Sequence, residues 1–147
     1  MKDSELHNFF KVAESRDITP QKVAEYLISN GCQIFLYFFE EHLGELVFEG
    51  LKKVEEPTTY RIESGKKFPL TPDSRIDLVN ALIEKKDKYD LKVRKLWDEN
   101  DNKFDELLII KVHVNLMTNL VINYEDLRFL PPLSNIDGGL TVSGGSS

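Results

Sequence analysis

Six consecutive apolar or aromatic residues, at positions 34–39, place the strongest constraint on how this chain can fold. Successive side chains of a β-strand point to opposite faces of the sheet. One face would carry Ile34, Leu36 and Phe38, and the other Phe35, Tyr37 and Phe39. A strand that is apolar on both faces needs cover on both. The run therefore predicts a central strand.

Length and charge narrow the class of protein. The chain has 147 residues, the size of one ordinary domain, and a formal net charge of -6, which disfavours a general binder of nucleic acid or anionic membrane. No apolar run approaches the roughly 18 residues that cross a membrane, and the first residues lack the apolar segment of a secretion signal. Cys32 is the only cysteine, which suits a reducing compartment. We expect a cytoplasmic protein in which the Cys32 thiol is buried and structural.

Three stretches have the periodicity and the start signals of amphipathic helices. Residues 4–14 place four apolar side chains on one face. The other two stretches start with Thr-Pro, where threonine caps the helix and proline takes its first position. These helices would run from Thr19-Pro20 to Asn30-Gly31 and from Thr71-Pro72 to residues 84–86. A short last helix, residues 125–130, would be capped by Asn123.

The remaining apolar runs alternate with period two and predict strands. After the central strand they cover residues 45–49, 58–63, 68–70, 89–97, 108–116 and 120–124. Short polar breaks at 40–44, 98–102 and 117–119 favour hairpins over parallel crossovers. The sum is an α+β domain with a mostly antiparallel sheet of about six strands and three main helices, two of them N-terminal.

The chain divides at Pro131-Pro132, which ends the last predicted helix. Residues 1–132 are predicted to form a single globular α+β domain. Residues 133–147 are rich in Gly and Ser and have little to pack, so they are predicted to form a flexible tail.

Two motifs resemble those of known nucleic-acid proteins. Residues 18–27 resemble the opening helix of excisionase-type and other small winged-helix DNA-binding domains, but the chain continues into a strand where a recognition helix would be needed. Asp73, Glu84 and Lys86 match the bare string of PD-(D/E)xK nucleases. That chemistry needs both carboxylates on adjacent strands, whereas about eleven helical steps would separate these by about 16 Å.

The most basic segment, residues 85–95, is the candidate nucleic-acid surface. Its cations are Lys85, Lys86, Lys88, Lys92, Arg94 and Lys95. A nucleic-acid groove needs exposed stacking aromatics beside the charges. Tyr89 and Trp97 instead fall on the side of the predicted strand that carries its apolar residues. We interpret the segment as a charged outer face of a sheet, with nucleic-acid contact as its alternative role.

Two acidic clusters next to predicted hairpins are the candidate partner-binding residues. They comprise Glu40, Glu41 and Glu45, and then Asp98, Glu99 and Asp101. Clusters of this kind are either solvated loop ends or docking sites for a basic partner surface.

The sequence contains no pattern typical of catalysis or of cofactor binding. There is no glycine-rich phosphate loop and no serine-hydrolase elbow, and its three histidines lack metal-ligand spacing. We expect that the protein is not an enzyme and that it binds neither a cofactor nor a metal ion. The leading hypothesis is a non-enzymatic interaction module, a small regulatory, inhibitor or immunity-type protein of a bacterium or phage that acts through protein contacts. A nucleic-acid-associated regulator using the basic segment is the alternative, and a homodimer stays open.

Overall fold

The computed structural model describes residues 6–50, 52–96 and 107–132, and all elements below lie in these ranges. The helices are α1 (Phe9–Ser15), α2 (Pro20–Ser29), α3 (Pro72–Ile83), the single turn α4 (Leu116–Asn119) and a 3-10 helix (Tyr124–Phe129). The strands are β1 (Leu6–Asn8), β2 (Phe35–Phe38), β3 (His42–Glu49), β4 (Lys52–Lys53), β5 (Thr59–Ile62), β6 (Lys66–Pro69), β7 (Lys88–Leu96), β8 (Leu107–Asn115) and β9 (Leu120–Asn123). The α+β class is confirmed, with nine strands in the described residues rather than about six.

The two helices that start with Thr-Pro form as predicted. Thr19 Oγ1 accepts a hydrogen bond from the Lys22 amide at 3.2 Å, and Thr71 Oγ1 accepts one from the Ser74 amide at 3.3 Å. Each bond satisfies an amide that the first helical turn leaves without a partner. α2 is followed by Gly31 at φ +73, the left-handed exit that glycine adopts without strain.

The predicted helix over residues 4–14 is wrong in its first half. Asn8 accepts hydrogen bonds from the amides of Phe10 and Lys11, both at 3.0 Å, and so begins α1 one residue later. The preceding residues form β1, which pairs antiparallel with β9. The predicted cap at Asn123 is also wrong: its side chain makes no capping bond to the 3-10 helix and accepts instead from Lys67.

The strands form two antiparallel sheets. Sheet A has the order β1-β9-β2-β6, and sheet B has the order β4-β3-β8-β7, with β5 also paired to β3. A bridge between Leu70 and Val93, and a 3.0 Å hydrogen bond from the Thr71 amide to the Lys92 carbonyl, join the two sheets. β2 is an inner strand of sheet A, as predicted, with β9 on one side and β6 on the other.

Two predicted hairpins are wrong. β2 and β3 are consecutive strands but lie in different sheets. The same holds for β8 and β9. Both short connections carry the chain from one sheet to the other: β2 pairs with β6 and β9, whereas β3 pairs with β4, β5 and β8. β7 and β8 do pair antiparallel over nine residues, as predicted, and their connection lies outside the described residues.

One cluster of buried side chains draws on α1, α2, α3 and both sheets. β8 shows the period most clearly, since Leu108, Ile110, Val112 and Val114 are all buried while Lys111 and His113 are exposed. Cys32 is buried too, as predicted. The described residues contain no helix long and apolar enough to span a bilayer. The division at residue 132 stays a prediction, because the tail lies outside the described residues.

Candidate functional site

The outer face of sheet A carries an aromatic patch that no described element covers. Ile34, Leu36 and Phe38 are buried in the core, but Phe35 and Tyr37 are only half-buried and Phe39 is 57% exposed. The expectation that both faces of this strand are covered is therefore wrong. We call Phe35, Tyr37, Phe39 and Val121 the aromatic face.

Long-range strand pairing completes the aromatic face. Val121 of β9 lies directly opposite Phe35 and so points to the same side of the sheet. It is only 4% exposed and does not belong to the core cluster. Lys67 of β6 lies opposite Tyr37 on this side. Sequence reasoning missed both Val121 and Lys67, because no local pattern gives their partner strand.

The aromatic rings hold defined positions. Tyr37 and Phe39 meet edge to face, with ring centroids 4.6 Å apart and an interplanar angle of 77°. The ammonium of Lys67 lies 4.5 Å from the centroid of the Phe35 ring and donates a hydrogen bond to Asn123 Oδ1 at 3.0 Å. Tyr124, 63% exposed, borders the face and lines a shallow recess with Lys67.

Contacts in the core determine which side chains of β2 point outward. Phe38 packs in the core against His42 and Phe68, with ring centroids 5.2 and 6.3 Å apart. The Tyr37 carbonyl accepts a hydrogen bond from Asn119 Nδ2 at 3.0 Å, which ties β2 to α4. With Phe38 anchored inward, Tyr37 must point outward, and Phe39, the residue that follows β2, packs against the Tyr37 ring.

The structure separates the acidic candidates. Glu40 and Glu41 follow directly on Phe39 and are exposed at one end of the aromatic face, where Glu41 forms an ion pair with Arg61. Glu45 lies on sheet B, with its carboxylate 3.6 Å from Lys111 Nζ. Asp98, Glu99 and Asp101 lie outside the described residues.

The basic candidates do not form one surface. Lys85 and Lys86 follow the end of α3, whereas Lys88, Lys92 and Arg94 share the outer parity of sheet B. Lys95 has the opposite parity, and its ammonium donates to the Tyr60 hydroxyl at 2.9 Å.

Asp73 is part of a helix start rather than of a metal site. Asp73 lies in the first turn of α3 and Glu84 caps its C-terminus, so the two carboxylates stand at opposite ends of the helix. Partial burial raises the pKa of Asp73, but hydrogen bonds from its own backbone and from Thr71, with the charge of Lys92, lower it further than burial raises it. Among the described residues, no three His, Cys, Asp or Glu side chains form a group that could hold a metal ion.

Cys32 has the properties of a structural thiol. Burial is the main cause that raises its pKa, with a further rise from Asp126 and an opposing effect from Arg128. A thiol held in its protonated form is a poor nucleophile.

Comparison of the chain with protein-family models, with curated proteins and with solved structures finds no match in any of the three.

Proposed function

We propose that this protein is a non-enzymatic binding module, a small regulatory, inhibitor or immunity-type protein of a bacterium or phage, and that it contacts its protein partner through the aromatic face. One observation carries the proposal: Tyr37 of β2 and Phe39, the residue that follows β2, pack edge to face beside Phe35, where no described element covers them. Aromatic residues are enriched in the energetically dominant parts of protein interfaces.

The rigidity of the face favours binding. A strand that is paired on both sides holds Phe35 and Tyr37, and a near-perpendicular ring contact holds Phe39. Side chains that are already ordered lose little conformational freedom when a partner covers them. Burying an exposed phenylalanine side chain contributes about 1.5–3 kcal/mol.

Charge indicates the chemistry of the partner. Glu40 is exposed beside Phe39 and has no ion-pair partner in the part of the chain that the structure describes, and the whole chain carries -6. A partner with an apolar centre and a basic flank would complement this end of the face, and attraction between opposite charges would speed the encounter.

The nucleic-acid alternative receives less support. The six cations of residues 85–95 do not lie together. Two follow the end of α3, three lie on the outer face of sheet B, and Lys95 lies on the opposite face of its strand. On the aromatic face Lys67 is already hydrogen-bonded to Asn123. A strand of phosphates would meet few free cations beside the rings.

Affinity capture from cells that produce the protein tests this proposal, with Phe39→Ser as the variant and Ile76→Ser as its control. Ile76 is 62% exposed on α3, so both variants remove a large exposed apolar side chain. We expect wild type and Ile76→Ser to retain the same protein, and Phe39→Ser to weaken its retention about tenfold or more. The extract is treated with nuclease. Loss of the captured protein on that treatment would favour the nucleic-acid alternative, and equal retention by all three would contradict a role for the aromatic face.

A further inference from the structure

A second site lies on the other sheet, away from the aromatic face. On the outer side of sheet B, next to the start of α3, a recess of about 290 Å³ has an apolar wall formed by Phe48, Leu107 and Ile109. Lys92, Arg94 and Asp73 form its polar wall. This volume lies just below the range of about 300–1,000 Å³ that is usual for small-ligand pockets, so the recess suits a small ligand.

A β-bulge assembles the recess. Leu46 of β3 pairs with Ile110, and Phe48 pairs with Ile109, so two steps on β3 match one step on β8. Without the extra residue Phe48 would continue the inward parity of Leu46. The bulge turns Phe48 outward beside Ile109, and Ile109 in turn lies opposite Arg94 on β7.

Arg94 is the unusual member of this group. Its Nε atom is buried and has no hydrogen-bond partner among the described residues. A buried donor without an acceptor is costly, and more so on a charged group. A guanidinium group can donate from Nε and a terminal nitrogen, in one plane, to both oxygens of a carboxylate.

The charges around Arg94 leave it available. Lys92 Nζ lies 3.5 Å from a carboxylate oxygen of Asp73, so these two charges largely compensate each other. Asp73 is ionised at neutral pH, as an ordinary aspartate is, and its lowered pKa favours the charged form further. Arg94 has no carboxylate within ion-pair distance in the described ranges. Among the described residues, the recess therefore holds one positive charge without a counter-charge, beside an apolar wall.

We propose that this recess binds an apolar carboxylate: the guanidinium of Arg94 receives the carboxylate, and Phe48, Leu107 and Ile109 receive its hydrocarbon group. Phosphate fits less well, since a doubly charged, strongly hydrated anion gains nothing from the apolar wall and meets only one free cation among the described residues of the recess. The proposal is independent of binding at the aromatic face.

An NMR titration of the full chain with isocaproate tests the proposal, with the neutral isocaproamide as its matched ligand. We expect isocaproate to shift the backbone amide signals of Arg94 and Ile109 with a Kd of about 1 mM, and the amide to shift them at least tenfold more weakly. Arg94→Gln should weaken isocaproate binding about tenfold or more. Lys88→Gln, on the same strand and parity but outside the recess, should leave it unchanged.

Four results would overturn the proposal. One is equal binding of acid and amide by the wild-type chain, a comparison that stands even if Arg94→Gln fails to fold. Another is unchanged isocaproate binding by a folded Arg94→Gln variant. A third is inorganic phosphate that shifts the same signals at lower concentration than isocaproate. The last is isocaproate binding that appears only after Asp98, Glu99 and Asp101 are neutralised to Asn, Gln and Asn, since the chain would then supply its own carboxylate.

Discussion

Phe38→Ala is expected to lower the free energy of unfolding by about 3–5 kcal/mol, a large part of the total stability of an ordinary domain. Phe38 is 1% exposed and lies in the core of sheet A. Its ring contacts those of His42 and Phe68 and fixes the parity of β2. Truncation would leave a cavity between elements of both sheets, since His42 belongs to β3. Urea denaturation measures the loss.

Phe39→Ala provides the matched control, because it removes the same side chain one position later. Phe39 points outward and is 57% exposed, so its loss should cost less than about 1 kcal/mol. Equal losses for the two variants would show that the inward and outward faces of β2 are misassigned. If the Phe38→Ala variant were as stable as wild type, β2 would not lie at the centre of the core.

Gly44→Val is expected to cost about 3 kcal/mol, for a steric reason. A Cβ atom at Gly44 would lie 2.7 Å from Ile110 Cγ2, and 2.9 Å from both the Lys111 carbonyl oxygen and Val112 Cγ1. The carbonyl belongs to the backbone of β8, so a side chain here would force β3 and β8 apart. The change is again read from the urea midpoint.

Glu45→Val serves as the control for Gly44→Val, because it introduces the same valine at the next position of β3, where the side chain points outward. It removes only a surface ion pair with Lys111, at 3.6 Å, and should change stability by less than about 1 kcal/mol. If Gly44→Val were as mild as Glu45→Val, the close approach of β3 to β8 would be refuted.

Local signals predicted the elements whose causes are local. The starts of α2 and α3 follow from threonine caps and the proline after each. The buried side of β8 follows from strict alternation along one strand. β1 was missed because its apolar spacing suits the first turn of a helix as well as a strand, and pairing with the distant β9 decided between them.

Sheet membership could not be predicted from the sequence. A short polar break such as residues 40–41 permits a hairpin, but the partner of β2 is chosen by contacts with β9, more than eighty residues away. The same limit applies to both candidate sites. The outward parity of Tyr37 and Phe39 was available from the sequence, whereas the lack of cover and the presence of Val121 depended on the topology. The bulge that brings Phe48 to Arg94 has no local signature.

The central claim, that a protein partner covers the aromatic face, is tested most directly by photo-crosslinking in intact cells. Benzoylphenylalanine replaces Phe39 in one variant and Ile76 in another. The reactive group then lies at an exposed position directly after β2 in the first variant, and at an exposed position of α3 in the second. We predict that the Phe39 variant forms a discrete crosslink to a protein, resistant to nuclease, while the Ile76 variant forms none. A crosslink at Ile76 without one at Phe39 would contradict the account.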